Sequence, residues 1–273
     1  MELIAVDSDK CTRCGLCARV CPYVVLKMDQ DKGPLAEGNF CISCGHCVAV
    51  CPAGAIDNIN APAAKQTPDD YPALGAAQAA HFLRSRRSVR WFKDQPVQER
   101  DLLTLLDMAR FAPTASNSQG VTFMVVENPG TLKAISAAVI DWGRSAVEDD
   151  LPISTIMSGL IDRYNAGTDS ITFNAPALIA AITEADMHVN FPRRPRENSI
   201  FCLMYAHLFA PALGLGSCWL GVLEACAFSG CLPLLKILDL PENMAFGGAL
   251  AVGYPQYKHK NMPDREPLRI IRR

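Results

Sequence analysis

One cysteine pattern decides the N-terminal fold, and it occurs twice, as CTRCGLCARVCP at residues 11–22 and as CISCGHCVAVCP at residues 41–52. The two stretches start thirty residues apart and share seven of their twelve residues, including Gly15 with Gly45 and Val20 with Val50. Self-similarity at a fixed spacing indicates an internal repeat. We therefore expect one small unit with approximate two-fold symmetry.

The spacing of the cysteines predicts what this unit binds. Both stretches read C-x2-C-x2-C-x3-C-P, the spacing of bacterial [4Fe-4S] ligands, so eight cysteines predict two clusters and one-electron chemistry. A zinc ribbon and a disulfide framework are the alternatives. Zinc ribbons usually separate two C-x2-C pairs by a longer spacer, and disulfide frameworks are typical of short secreted chains. The pattern favours the clusters.

The repeat resembles the two-cluster bacterial ferredoxins, and this resemblance implies a pairing of the cysteines. In those proteins the fourth cysteine of each stretch ligates the other cluster. One cluster would then be held by Cys11, Cys14, Cys17 and Cys51, and the other by Cys41, Cys44, Cys47 and Cys21.

Length and composition indicate two domains. With 273 residues and 29.6 kDa, the chain has room for the cluster unit and for one domain of about 200 residues. We place the cluster domain at residues 1–60, a linker rich in proline and alanine at 61–77, and the second domain at 78–273. A net charge of -2 and a pI near 6.2 offer no general attraction to nucleic acid or anionic membranes.

The longest apolar stretch, Ile200 to Trp219, carries no formal charge. Its prolines, glycines and His207 favour a buried helix of about fourteen residues that ends in a glycine-rich turn, rather than a membrane span. His207 is interpreted as a hydrogen-bonded core histidine.

Since no charged and apolar leader precedes Cys11, we expect a cytoplasmic protein.

The second domain mixes helical and strand patterns. Apolar periodicity and flanking prolines predict helices at 78–86, 99–111, 132–140 and 232–240, and buried strands at 121–127, 176–183 and 249–253. This mixture predicts an α+β domain with a central sheet flanked by helices. Gly214-Leu215-Gly216 lacks the third glycine of a dinucleotide-binding fingerprint, so a Rossmann domain is disfavoured.

Four segments of this domain resemble the FMN-dependent nitroreductase family, and they occur in the family's order. They are RRSVRWF at 86–92 with Pro96-Val97, APTASNSQ at 112–119, GLGSCWLG at 214–221, and GYP at 253–255 with Lys258 and PDR at 263–265. The resemblance covers about residues 80–273. It implies a nitroreductase-like α+β fold, a homodimer with FMN at the interface, and an oxidoreductase.

The resemblance also implies which residues bind FMN. Arginine forks and the Ser88 hydroxyl suit a phosphate dianion, although a solvated basic helix end would look similar. The residues assigned to FMN are Arg86, Arg87, Ser88, Arg90, Pro113, Thr114, Ser116, Asn117, Gln119, Cys218, Trp219, Leu220, Gly221, Lys258 and Arg265. The C-terminal pattern departs from the family's, so Lys258, Lys260 and Arg265 remain alternatives for completing the phosphate site.

Together the two domains predict an iron-sulfur flavoprotein. A flavin can exchange electrons singly and as a pair, so clusters beside FMN can feed a hydride transfer to a nitroaromatic, quinone-like or activated alkene substrate. The electron donor would be reduced ferredoxin or NAD(P)H. No side chain is identified as a catalytic acid or base. The alternatives are an electron carrier without a small-molecule substrate, or a flavin dehydrogenase that passes electrons out through the clusters.

Two further expectations concern the rest of the second domain. Residues 141–165 contain no motif of the family and are interpreted as a substrate lid. Cys202, Cys218, Cys226 and Cys231 are interpreted as reduced core residues, of which only Cys218 lies near the expected flavin.

Overall fold

The computed structural model describes residues 2–38, 40–68, 70–184 and 195–273. The chain forms two compact units. Unit 1 contains Met1–Ala73 together with Ser116–Ser118, and unit 2 contains Leu74–Ala115 and Gln119–Arg273. The boundary at residue 73 lies inside the stretch expected to be a linker.

Unit 1 is built from two antiparallel strand pairs and two short helices, as far as the structure describes it. Its elements are β1 (Ile4–Val6), α1 (Leu16–Val20), β2 (Leu26–Asp29), β3 (Gly33–Ala36), α2 (His46–Ala49) and β4 (Ile56–Asn58). β1 pairs with β4, and β2 pairs with β3, both antiparallel. Because each pair joins strands from the two halves of the sequence, neither half completes its sheet alone.

The internal repeat extends to the backbone of unit 1. Gly15 and Gly45 have φ values of 73° and 72° and stand at the N-termini of α1 and α2. Arg13 and Ser43, also thirty residues apart, have φ values of 54° and 56°. Left-handed conformations cost free energy in non-glycine residues, so their recurrence at equivalent positions reflects one loop geometry used twice.

Unit 2 is organised around a four-stranded antiparallel sheet of order β5-β6-β8-β7. The strands are β5 (Val121–Val126), β6 (Ala177–Glu184), β7 (Gly216–Trp219) and β8 (Met244–Gly253). Seven of the eight residues of β6 are buried. Since successive side chains of a strand point to opposite faces, β6 supplies apolar side chains to both layers.

Helix α3 (Ala76–Ser85) comes first in unit 2 and has no buried residue. The helices that follow cover both faces of the sheet, and they are α4 (Glu99–Ala109), α5 (Pro129–Glu148), α6 (Ser154–Asn165), α7 (Pro195–Phe209), α8 (Gly221–Phe228) and α9 (Leu232–Leu238). Leu178 and Ala180 of β6 pack in one core with residues of α5, α6, α8 and α9. Ile179 and Ala181 pack in a second core with residues of α4 and α7. The predicted α+β domain with a central sheet and flanking helices is confirmed.

The predicted elements are found, but several have different extents. The helix predicted at 132–140 is part of the longer α5, which runs from Pro129 to Glu148. β8 begins five residues before the predicted strand, because Gly247 and Gly248 form an irregularity in its pairing with β6 instead of a turn. The predicted turn around Gly216 is partly a strand, β7, because Gly216 packs closely against Val89. A short 3-10 helix at Ala210–Leu213 follows α7.

Residues 141–165 do not form a separate lid. The first part continues α5, and the second part is α6, whose Met157 is fully buried in the core. A methyl group at Gly143 would lie 2.0 Å from Met157 Cε, so the two helices are in close contact. Moving α6 as a lid would remove this side chain from the core, and the lid interpretation is therefore wrong.

Among the residues described, no single helix is long and apolar enough to cross a membrane. Helices α8 and α9 reach such a length and apolarity only together, as a pair bent by 111°.

The contact between α5 and α6 gives a test of packing. Gly143→Ala is expected to lower the free energy of unfolding by about 1 to 3 kcal/mol, since the buried core around Met157 must shift. Gly159→Ala is the matched control, because Gly159 is an exposed glycine inside α6 with no atom within 4 Å of an added methyl group. It should raise stability by about 1 kcal/mol through helix propensity alone. Urea unfolding measures both, and equal effects would contradict the assigned contact.

Candidate functional site

Two cavities in unit 1 are each lined by four cysteines. Residues of both halves of the repeat surround the first cavity, whose cysteines are Cys11, Cys14, Cys17 and Cys51. Those of the second are Cys41, Cys44, Cys47 and Cys21. The groups are the ones implied by the resemblance to two-cluster ferredoxins, with the fourth cysteine of each stretch facing the other cavity.

The surroundings of the thiols suit a cluster. The backbone N–H of Val25 donates to Cys21 Sγ at 3.3 Å, and the N–H of Ala55 donates to Cys51 Sγ at the same distance. Hydrogen bonds to sulfur and a hydrophobic shell are the means by which proteins hold and tune such clusters. Burial raises the pKa of the Cys17 and Cys47 thiols, so their deprotonation depends on a ligated cation.

Three of the four family-like segments meet in unit 2. Ser88 forms a parallel bridge with Ser217 of β7, where the Val89 N–H donates to the Ser217 carbonyl at 2.9 Å. Further along, Phe92 forms an antiparallel bridge with Pro255. The chain from Ser88 to Phe92 therefore runs from β7 to the segment that follows β8.

A buried histidine orients the first arginine of this segment. Arg86 Nη1 lies 2.6 Å from His207 Nε2, and His207 Nδ1 lies 2.6 Å from Ser217 Oγ. A guanidinium can only donate, so Nε2 accepts and Nδ1 carries the ring hydrogen. Burial, aided by the Arg86 charge, lowers the pKa of His207 to about 4. The imidazole is neutral, and Arg86 keeps the positive charge.

Ser88 and Arg90 surround the thiol of Cys218. Burial raises the pKa of Cys218, although the Arg90 guanidinium and hydrogen bonds from Arg90 and Ser88 act in the opposite direction. The Arg90 guanidinium also lies 5.9 Å from the centre of the Phe173 ring. Cys218 is thus a neutral thiol beneath two polar side chains.

The glycine-rich segment after β7 is held rigidly. Trp219 Nε1 donates to Glu224 Oε2 at 2.6 Å, and Glu224 pairs with Arg196 at 3.1 Å. The Leu220 N–H donates to the Ala249 carbonyl, and Gly221 begins α8 without a side-chain cap. The first N–H groups of an uncapped helix have no intrahelical acceptor, so they are available to an acceptor on a ligand.

The contacts of the C-terminal basic residues do not single out one of them for the anion site. Arg87 donates to the Asn261 carbonyl, which brings residues near 261 to the first segment. Lys258, Lys260 and Arg265 are all exposed. Which of these three completes the anion site stays a prediction.

The segment from Pro113 to Gln119 has a strained loop conformation. Ser116, Asn117 and Gln119 all have φ values between 50° and 53°. The Gln119 N–H donates to Thr114 Oγ1, and Pro113 is exposed. Within unit 1, Asn117 Nδ2 donates to the carbonyls of Ile42 and Ser43 at 3.0 Å each. Non-glycine residues in this conformation cluster at functional sites, but the predicted FMN contacts of this loop stay predictions.

A cavity next to Arg90 was not foreseen from the sequence. Aromatic side chains, amides and two guanidiniums line it, among others Trp91, Phe92, Phe173, Asn174, Gln256, Arg90 and Arg163. Asp169, also in the wall, accepts from Ser136 and Thr172. The residues come from four separate parts of the chain, which explains why no local motif indicated this cavity.

Charge around the arginines favours an anion. In the described part of the chain, the ion pairs involve other arginines and lysines, and none joins a carboxylate to Arg86, Arg87 or Arg90. Three guanidiniums near Ser88 without a carboxylate partner leave a net positive site.

The remaining cysteines agree with the sequence interpretation, since Cys202, Cys218 and Cys226 are buried free thiols and Cys231 is partly buried.

The two four-cysteine cavities predict a specific pattern of cluster loss. Cys51→Ser should impair the same cluster as Cys14→Ser, and Cys21→Ser should impair the other one, each leaving about four irons per chain. Iron analysis and low-temperature EPR of the reduced variants measure this. If Cys51→Ser instead matched Cys44→Ser, each stretch would ligate its own cluster and the assignment would fail.

The neutral His207 predicts a pH dependence of stability. The unfolded histidine titrates near 6.5 and the folded one near 4, so between these values the unfolded chain binds the extra proton. Stability of unit 2 should therefore fall as pH drops from about 6.5 to 4, by up to about 3 kcal/mol. His207→Gln should reduce this slope, whereas the exposed control His81→Gln should not.

Urea unfolding followed by tryptophan fluorescence is the suitable measurement, because Trp91, Trp142 and Trp219 all lie in unit 2. An unchanged slope in His207→Gln would show that another group causes the pH dependence.

Known proteins resemble this chain over about two thirds of its length. A curated protein of Archaeoglobus fulgidus, described as an NADH dehydrogenase or NAD(P)H nitroreductase, is 27% identical over 64% of this chain and 84% of its own length. The NADH dehydrogenase of Thermus thermophilus is 28% identical over 67% and 88% of the two chains. A nitroreductase structure with bound FMN from Bacteroides fragilis covers 71% of this chain and 99% of its own, with 21% identity and a TM-score of 0.55.

Family models match both units. The model for the 4Fe-4S dicluster domain matches residues 3–66, which contain all eight repeated cysteines. The model for the nitroreductase family matches residues 83–254, more than half of the chain, and includes Arg86, Ser217 and Trp219. The chain belongs to the nitroreductase family of oxidoreductases and carries a 4Fe-4S dicluster domain at its N-terminus.

Proposed function

We propose that this protein is an iron-sulfur flavoprotein in which two [4Fe-4S] clusters pass single electrons to FMN for the reduction of a small organic acceptor. The observation that carries this proposal is the group of arginines at the bridge between Ser88 and Ser217, which has the positive charge that a phosphate monoester requires. Two four-cysteine cavities in the same chain supply the electron source.

The residues present fit FMN. Arg86, Arg87 and Ser88 would hold its phosphate with forked N–H donors and a hydroxyl. Arg90 would serve the pyrimidine edge, where a cation favours negative charge on the ring. The main-chain N–H groups at the start of α8, next to Gly221, would be donors for the ring's acceptor atoms. The flavin would supply the conversion between one-electron steps and hydride transfer.

Side chains around this site act by holding others in place. His207 fixes the Arg86 guanidinium through Nε2 and is itself fixed by Ser217. Because the imidazole is neutral, it accepts a hydrogen bond from Arg86 without repelling the guanidinium charge. Glu224 holds Trp219 by one carboxylate oxygen and Arg196 by the other, so the turn before α8 is rigid before a ligand binds.

The cavity beside Arg90 suits the substrate. Trp91, Phe92 and Phe173 present flat apolar surfaces, and Arg90 and Arg163 supply N–H donors. A planar acceptor with exposed oxygens, such as a nitroaromatic or a quinone, can stack on the rings while its oxygens accept these hydrogen bonds. An activated alkene conjugated to a carbonyl has the same features.

An exposed apolar face supports a homodimer. Leu103 and Phe111 near α4 are each 59% exposed, and Phe201 and Tyr205 lie on one side of α7 at 47% and 42%. Residues four apart share a helix face, so Phe201 and Tyr205 form one surface. Large exposed apolar surfaces mark interfaces, and we propose that this face pairs two chains with FMN bound at the interface.

The direction of electron flow separates two candidate functions. The names of the relatives from Archaeoglobus fulgidus and Thermus thermophilus favour NADH as a hydride donor, in which case the clusters would carry electrons away. The cluster domain equally suits reduced ferredoxin, since both exchange single electrons. We propose inward flow from ferredoxin as the first function and NADH oxidation with outward flow as the second.

Cofactor content tests the central proposal. Reconstituted protein should contain about eight irons and one FMN per chain and should have the mass of a dimer by light scattering. Arg86→Gln should weaken FMN binding about 10- to 100-fold, the effect of losing a charge-assisted hydrogen bond, while iron content stays unchanged. Arg84→Gln is the matched control, because Arg84 is an exposed arginine in the last turn of α3. Full iron without any flavin would refute the proposal.

Anaerobic stopped-flow measurements then distinguish the two directions. If reduced ferredoxin bleaches the flavin and NADH does not, flow is inward, and a nitroaromatic or quinone should reoxidise the protein. If NADH reduces the flavin first and EPR signals of the clusters follow, the second function is correct.

A further inference from the structure

The internal repeat of unit 1 offers a residue-by-residue comparison of the two cluster sites. Residues thirty positions apart occupy equivalent places, as shown by the matched N–H to sulfur contacts of Val25 and Ala55. Several equivalent pairs that line the two cavities differ, among them Thr12 and Ile42, Leu16 and His46, and Met28 and Asn58. At the last of these pairs, the second cavity has a side-chain amide that contacts cysteine sulfurs. Methionine has no N–H to offer, whereas asparagine has an amide with two.

The Asn58 side chain is fixed with its donors toward the sulfurs. Its Oδ1 accepts from the Asn60 N–H at 2.9 Å, so the oxygen and nitrogen positions are determined by the hydrogen-bond network. Its Nδ2 lies 3.7 Å from Cys41 Sγ and 3.9 Å from Cys47 Sγ. Asn58 is only 3% exposed. A buried amide is costly without partners, and these two sulfurs are its partners.

We propose that Asn58 raises the reduction potential of the cluster held by Cys21, Cys41, Cys44 and Cys47, and thereby makes the two clusters unequal. Reduction adds one negative charge to a cluster that is already anionic, and that charge spreads onto the sulfurs. An N–H donor aimed at two of the sulfurs stabilises the reduced form more than the oxidised form. This inference rests on the dicluster domain and is independent of the flavin.

Two arginines near the first cavity would raise the potential of the first cluster, which works against the difference that Asn58 creates. Arg13 and Arg19 belong to the first stretch, whereas Ser43 and Ala49 stand at the equivalent positions of the second. Arg19 donates to the Cys14 carbonyl, but both guanidinium side chains are exposed to water. Water and salt screen exposed charges strongly, while a buried hydrogen bond acts in a low dielectric. The Thr12 side chain also hydrogen-bonds Cys14, but Cys14 is exposed, so this bond too acts next to water. The buried Asn58 amide is therefore the stronger influence, and the second cluster has the higher potential.

The consequence is an uneven distribution of the first electron. In the half-reduced unit, an electron from a one-electron donor such as dithionite rests on the second cluster and leaves the first one oxidised and able to accept the next. The two electrons that a hydride transfer needs are then stored at different potentials.

The experiment exchanges the two residues in the full-length protein. Asn58→Met should lower the potential of the second cluster by at least a tenfold change in its redox equilibrium, which is about 59 mV for a one-electron couple. Met28→Asn should raise the potential of the first cluster, but by less, because the residue at position 28 is 37% exposed to water. EPR-monitored dithionite titrations measure both, and the signals are assigned with Cys21→Ser and Cys51→Ser.

An uncharged variant of similar size separates tuning from structure. Asn58→Leu has nearly the same shape as asparagine, lacks the N–H donors and adds no charge beside the sulfurs, so the loss of the donors is separated from the effect of a new charge. We expect the potential of the second cluster to fall as far as in Asn58→Met, with full iron content. The proposal is overturned if Asn58→Leu assembles both clusters and retains the wild-type potential. Should neither variant of Asn58 assemble its cluster, Met28→Asn decides the question, because it leaves Asn58 intact, and an unchanged potential of the first cluster then overturns the proposal.

Discussion

The arrangement of unit 2 depends on one short backbone pairing, between Ser88 and Ser217. This bridge fixes the segment from Arg86 to Arg90 on the free edge of β7, and the pairing of Phe92 with Pro255 fixes its other end. Gly216 allows the approach, because any side chain there would overlap Val89. The guanidinium groups, the Cys218 thiol and the turn before α8 acquire their positions from this contact. A basic sequence motif becomes an anion site only because β7 lies beside it.

Both units use neutral, buried polar groups to set the behaviour of charged ones. In unit 2, His207 carries no charge and so directs Arg86 without repelling it. In unit 1, Asn58 carries no charge and acts on anionic sulfurs through its N–H groups. In both places the buried side chain has a second bond, to Ser217 or to Asn60, that determines which atom faces the site. Pre-organisation of this kind avoids the cost of reorienting a dipole when a ligand gains charge.

The sequence predicted the parts of the fold that depend on local spacing. Eight cysteines at fixed intervals indicated both cluster sites, and the apolar periodicity indicated α4, β5, β6 and α9 closely. Features that depend on distant contacts were missed. Gly216 and Ser217 are typical turn residues, and only the contact with Val89, more than a hundred residues away, makes a strand of them. The sequence indicates that His207 is buried and hydrogen-bonded, but its link to Arg86 spans 121 residues. The difference between Met28 and Asn58 is present in the repeat, but only the fold shows that both positions line a cavity.

The matching backbone angles of Arg13 with Ser43 and of Gly15 with Gly45 have a consequence for how such a unit changes over time. A duplicated sequence that retains one loop geometry leaves the side chains around each copy free to diverge separately. A single codon change at position 28 or 58 alters the electronic surroundings of one half without refolding either. Duplication thus gave this chain two sites of common ancestry whose properties selection can adjust one at a time.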